Sequence, residues 1–135
     1  MKKRLIRISR FAAVGGVGFI VDASILTFLM TGLAWNFYLS RAISFSFAVL
    51  ATWGLNRVVT FKEGSSHSKK KEAGMYYLTQ VMGAGINLGV FVLVVLQFPE
   101  LNLIPVIPLA VGSAVALIFN YSCIQFFVYN GQNEV

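Results

Sequence analysis

Three charged residues are embedded in long apolar runs: Asp22, Arg41 and Arg57. An ionised carboxylate near the middle of a bilayer costs at least about 2.5–3.5 kcal/mol by insertion scales, so Asp22 must face a partner or a wet cavity. In one reading it is an ion pair or a protonated hydrogen-bonding group that locks helix packing. In the other it contacts a substrate or takes up a proton. Arg57 follows Asn56, and its planar fork of donors suits a phosphate. A guanidinium at that depth can equally snorkel to the headgroups. Arg41 presents the same choice near the opposite face. At 1.5 Å per residue the axial gap from Asp22 to either arginine is about 10 Å, so both pairings are open. Two cations at opposite faces with a carboxylate between them suit an anionic headgroup that crosses.

Uncharged polar groups accompany them. Asn87, Asn120, Gln125 and Gln80 lie in the second half of the chain, where amides hydrogen-bond between helices for about 1 kcal/mol. Asn120 also has the chemistry to line a sugar path, because an amide both donates and accepts. Gly15-Gly16-Val17-Gly18 and Gly83-Ala84-Gly85 have the composition of phosphate loops, but each is inside an apolar run with no strand before it. They read as packing glycines, as do the GxxxG pair Gly85 and Gly89 and the small-residue pair Gly112 and Ala116. Cys123 is the single cysteine and His67 the single histidine, the latter in a Ser/Lys-rich loop. That count excludes an intrachain disulfide and a cysteine zinc site, and it predicts neither metal nor cofactor. No acid, base and nucleophile converge, so an enzyme is not expected.

These residues need elements to hold them. Of 135 residues, 57% are hydrophobic and 12% charged, with mean hydropathy +0.74. A soluble domain is roughly 45–50% apolar and about 25% charged, which excludes a water-soluble globule. The net charge of +6 sits in two short clusters and is not spread over a surface, so nucleic acid is not expected as a partner. The pattern predicts one all-α membrane domain over 1–135, with four transmembrane helices at about 11–33, 37–61, 75–98 and 104–129 and a polar linker at 62–74. A basic start followed by an apolar run also resembles a secretory signal, but three further spans follow it. Pro105 and Pro108 are tolerable at the start of the fourth span, where the first turn has free N–H positions.

Orientation follows from Lys and Arg. The N-terminus carries Lys2, Lys3, Arg4, Arg7 and Arg10, and the linker carries Lys62, Lys69, Lys70 and Lys71. The loops at Ala34-Trp35-Asn36 and Pro99-Glu100 carry none. Both termini and the linker are therefore expected in the cytoplasm, N-in and C-in, with the basic clusters holding anionic lipids at about 1 kcal/mol per charge.

The halves repeat. Phe11 to Asp22 aligns without a gap on Tyr76 to Asn87, matching Gly18 with Gly83. After an offset three residues larger, Ala42 meets Ala110, Ser44 meets Gly112, Thr52 meets Asn120, Arg57 meets Gln125 and Phe61 meets Tyr129. Each half is a hairpin starting on the same side, so the repeats are parallel, related by a pseudo-twofold axis along the membrane normal. Asp22, Arg41 and Arg57 correspond to Asn87, Leu109 and Gln125, which predicts a charged working half and a neutral supporting half.

The pattern Arg10-Phe11-x-x-Val14-Gly15, then Asp22, then Asn56-Arg57-x-x-Thr60-Phe61 resembles the GtrA family of small bacterial membrane proteins. The second half repeats it weakly through Asn87, Asn120 and Phe127-Val128-Tyr129, and the likeness spans about Arg10 to Tyr129. Where many members repeat Asn-Arg at the end of the fourth span, this chain has Ile124-Gln125. The resemblance implies translocation of a polyprenyl-phosphate-linked sugar across the bacterial cytoplasmic membrane for cell-surface polysaccharide or cell-wall glycosylation. By that analogy Arg57 receives the phosphate, Asp22 and nearby amides meet the headgroup midway, and Arg41 releases it outside. The expected binding residues are Asp22, Arg41, Asn56, Arg57, Asn87, Asn120 and Gln125. Two other classes stay open: a non-transporting adaptor that recruits a membrane glycosyltransferase, and a small proton-coupled exporter. Four helices leave little interior room, so a homo-oligomer is expected, with small-residue faces mediating it.

Overall fold

The computed structural model describes residues 1–62, 64–103 and 106–129. Glu63 of the linker, and Ile104 and Pro105 at the expected start of the fourth span, lie outside them. The described elements are α1 (Lys2–Thr27), α2 (Phe37–Leu55), α3 (Lys69–Gln97) and α4 (Val106–Cys123), with no strand among the described residues. Three of them run on into π-helical turns, α1 through Phe28–Gly32, α2 through Asn56–Thr60 and α4 through Ile124–Val128. With these turns the chain has four helices long and apolar enough to cross a membrane.

Two boundaries differ from those expected. α1 begins at Lys2, because its Lys- and Arg-rich opening contains good helix formers and neither Gly nor Pro. α3 begins at Lys69, within the segment expected to be linker, because the Ser68 side chain accepts from the Lys71 N–H at 3.3 Å and caps the helix. Asn36 caps α2 in the same way, accepting from Leu39 N–H at 2.9 Å. Pro108 is in the first turn of α4, where its missing N–H removes no helical bond.

The helices form two antiparallel hairpins, α1 with α2 and α3 with α4, joined mainly along α2 and α3. The linker end of the bundle gathers the buried core: Phe11, Val49, Phe61, Tyr76, Tyr121 and Tyr129, among others. Their rings pack edge to face and stacked, with Phe11 5.6 Å from Tyr121.

The repeat is visible in the backbone. Asn56–Thr60 and Ile124–Val128 are equivalent positions of the two halves, and both are π-helical turns. Such a turn shifts the hydrogen-bond ladder by one residue and leaves carbonyls in search of donors. Arg10 donates to Val59 O at 3.4 Å in the first half. In the second half Ser65 donates to Val128 O at 2.6 Å, and His67 Nε2 lies 3.2 Å from Phe127 O. Thus the linker histidine is engaged in tying the linker to α4.

The glycines divide into two groups. A Cβ on Gly18 would run into Thr52, and one on Gly83 would run into Asn120, at equivalent places in the two hairpins. Gly112 would meet Asn87 O at 2.6 Å. These three glycines set the close approach of α1 to α2 and of α3 to α4. Gly85 and Gly89 do not: open space lies beside both, so their spacing brings no helix of this chain close.

Candidate functional site

Asp22, in the sixth turn of α1, pairs with Arg41, in the second turn of α2. The arginine's Nη1 donates to Asp22 Oδ2. Of the two pairings left open by spacing, this is the one the hairpin makes. It crosses the short turn between α1 and α2, where the antiparallel helices bring both residues to one level. The Asp22 side chain is 17% exposed and that of Arg41 43%, so the guanidinium keeps donors on its open side. Asp22 Oδ1 is buried with no hydrogen-bond partner among the described residues.

Asp22 is one of the residues lining an open cavity of about 260 Å³ between the four helices. Asp22 and Arg41 line it toward the loop end, and Asn56, Gln80 and Asn120 supply further polar groups. Asn120 donates to Gln80 Oε1 at 3.3 Å, while its own Oδ1 is buried without a partner among the described residues. The cavity is therefore lined by one carboxylate, one guanidinium and three amides on walls that are otherwise largely apolar. Gly15 and Gly18 line the α1 wall; beside Gly15 the space is open, whereas Gly18 is held against Thr52.

Asn56 bridges the cavity to the core. Its Nδ2 donates to Tyr76 Oη at 2.7 Å and its Oδ1 accepts from Thr60 Oγ1 at 2.7 Å. Both ends of the amide are engaged, tying α2 to α3 across the two hairpins.

Arg57 does not line the cavity. It donates to Glu72 Oε2, and Trp53 Nε1 donates to Glu72 Oε1 at 2.9 Å. Glu72 is 0% exposed, and the first turn of α3 places it there. The polar linker expected at 62–74 includes Glu72, but the first turn of α3 carries this residue into the interior, where it pairs with Arg57. The second hairpin thus contributes a buried carboxylate of its own at its linker end. The pattern Glu72, Tyr76, Thr79, Gly83, each three or four residues on, was the available signal. A lysine run beside it masked that signal.

The two remaining amides stand apart. Asn87 donates to Ser113 Oγ at 3.2 Å and packs against Gly112, joining α3 to α4. Gln125 is buried in the π-helical turn after α4, its Oε1 without a partner among the described residues. Four of the seven expected residues, Asp22, Arg41, Asn56 and Asn120, thus share one cavity, and Arg57, Asn87 and Gln125 lie elsewhere. Among the described residues no group of His, Cys, Asp and Glu is placed to hold a metal ion.

Residues 10–129 match the model of the GtrA/DPMS transmembrane domain. The chain belongs to this family. The match takes in α1 from Arg10 onward, the other three helices entire, and all seven residues singled out above. Membership in the GtrA/DPMS family supports involvement in membrane processes that handle polyprenyl-phosphate sugars. No curated protein matches the chain. As a GtrA/DPMS domain with four apolar helices, it is a multi-pass membrane protein.

Proposed function

We propose that the chain carries a polyprenyl-phosphate-linked sugar across the bacterial cytoplasmic membrane, with both termini and the linker in the cytoplasm. The observation that supports this reading is the cavity holding Asp22, Arg41 and Asn120 inside otherwise apolar spans. The carboxylate and amide side chains lining the cavity suit ring hydroxyls, and the open side of the Arg41 guanidinium suits a phosphate. The substrate passes with its bonds intact, so the role is that of a carrier and not of a catalyst. Arg57 fits as the receiving cation only when it exchanges Glu72 for the phosphate. The basic N-terminus and the Lys69-Lys70-Lys71 run favour anionic lipid at the same face.

The test is a leaflet-transfer measurement. Liposomes carrying a polyprenyl-phosphate hexose are prepared with wild type, with Arg41→Gln, or without protein. Faster arrival of the sugar at the opposite leaflet with wild type alone is the expected result. Equal rates in all three vesicles, with folded protein, would remove the carrier reading and turn attention to an adaptor role.

A further inference from the structure

Arg41 borders a second space. On its other side lies a groove of about 420 Å³ between α2 and α3, walled by Phe37, Tyr38, Ala42, Phe45, Val81 and Ala84. Apart from Arg41 itself, every residue on this groove is apolar or aromatic. Two residues, Arg41 and Phe45, line both the groove and the polar cavity. The cavity supplies hydrogen-bond acceptors, the groove supplies apolar walls, and a guanidinium stands at their junction. A ligand that fills this set needs three parts in the same order: hydroxyl-rich, anionic and apolar.

We infer that the groove between α2 and α3 seats the first isoprenoid units of the lipid, with Arg41 holding the phosphate where groove and cavity meet. This rests on the carrier reading above and names the seat of the chain, which that reading leaves open. Placing the phosphate in the cavity instead would set it beside the Asp22 carboxylate, whose negative charge repels an anion. Placing the sugar in the groove would bury its hydroxyls against Phe37, Phe45 and Val81, where nothing satisfies them. Ala42 and Ala84 are small and exposed, so the groove stays open for a chain to lie along it. Its size is within the roughly 300–1,000 Å³ usual for small-molecule sites.

The experiment measures binding to wild type, Ala84→Phe, Ala84→Leu and Arg41→Gln in nanodiscs of zwitterionic lipid. The probes are a prenyl-phosphate hexose, hexose 1-phosphate without a chain, and phosphatidic acid as a competitor with the same anion on acyl chains. Filling the groove with Ala84→Phe should weaken the prenyl-phosphate hexose by about ten-fold or more, with Ala84→Leu intermediate, and leave hexose 1-phosphate within about two-fold. Retained hexose 1-phosphate binding also shows that the variants fold. Arg41→Gln should weaken both sugar phosphates, and phosphatidic acid should not compete. The inference is overturned if the filled groove leaves the prenyl ligand's affinity unchanged, if both sugar probes weaken together in Ala84→Phe and Ala84→Leu, or if phosphatidic acid displaces the ligand. Failure of wild type to bind the prenyl-phosphate hexose at all would instead remove the carrier reading itself.

Discussion

The rings of Phe61 and Tyr129 lie stacked, 4.4 Å between centroids and 10° from parallel. The two residues hold the same position in the two repeats, each directly after a π-helical turn. Equivalent residues can touch each other only where the axis relating them passes between, so the stack marks the pseudo-twofold axis at the linker end. Both hairpins end at that point, which makes the repeats parallel. The same end is closed by the Glu72 ion pair and by the Asn56–Tyr76 bond, whereas the cavity extends from there toward Asp22 and Arg41. One end is packed and the other is hollow.

An aromatic pair of this kind contributes about 0.5–1.5 kcal/mol beyond the area it buries. Phe61→Leu should therefore lower the thermal unfolding midpoint in detergent, while Tyr129→Phe, which keeps the ring, should leave it within experimental error. An equal loss in both variants would mean that the phenol, and not the stack, carries the contact.

Breaking a buried ion pair by removing one partner costs about 3–5 kcal/mol, because the other charge is left uncompensated. Arg57→Gln should have that effect on Glu72, which is wholly buried. Adding Glu72→Gln to it should restore most of the lost stability, since an amide there can still accept from Trp53 Nε1. A double variant no more stable than Arg57→Gln alone would show that an uncompensated charge at Glu72 is not the source of the loss.

The four helices and their pairing were legible because apolar runs of membrane length have few alternatives. The cavity was legible in part: Asp22, Arg41, Asn56 and Asn120 are polar residues in apolar runs, and such residues must find each other or water. Partners were not legible. Axial spacing left Asp22 open to Arg41 or Arg57, and only the hairpin's turn decides between them. Glu72 was hidden because burial depends on where the neighbouring helix lies, and α2 brings Trp53 and Arg57 over it. The glycines show the same limit, since Gly83 and Gly85 look alike in sequence and only Gly83 faces a neighbouring helix's side chain.

Gly83 gives a direct test of that difference. Gly83→Ala puts a methyl onto the Asn120 side chain, and overpacking of this kind costs typically about 1–3 kcal/mol. Gly85→Ala, which meets nothing within 4 Å, should be neutral or slightly stabilising in thermal unfolding. Matching effects at both positions would contradict the packing of α3 on α4 described above.

The cytoplasmic placement of the linker can be checked by labelling. Cys123 is the single native cysteine, so Cys123→Ser gives a silent background for Lys70→Cys and Glu100→Cys. In intact spheroplasts a membrane-impermeant maleimide should reach position 100 and not position 70, with position 70 labelled after lysis. The reverse pattern would invert the orientation drawn from the Lys and Arg distribution.

The last test separates the two readings of Asp22. A pair that only locks α1 to α2 is indifferent to which helix carries which sign. A pair that offers an acceptor to hydroxyls and a guanidinium to a phosphate is not, because exchanging the charges moves the cation from beside the groove to the opposite wall. Asp22→Asn and Arg41→Gln should each lower stability, since each leaves one charged group half-buried without its partner. The exchange Asp22→Arg with Arg41→Asp should recover a large part of that stability, because the attraction is restored. Transfer of the lipid-linked sugar should stay absent in the exchanged protein. If the exchange restored transfer along with stability, Asp22 and Arg41 would be a structural clasp, and the substrate's contacts would have to be sought at Asn56 and Asn120 instead.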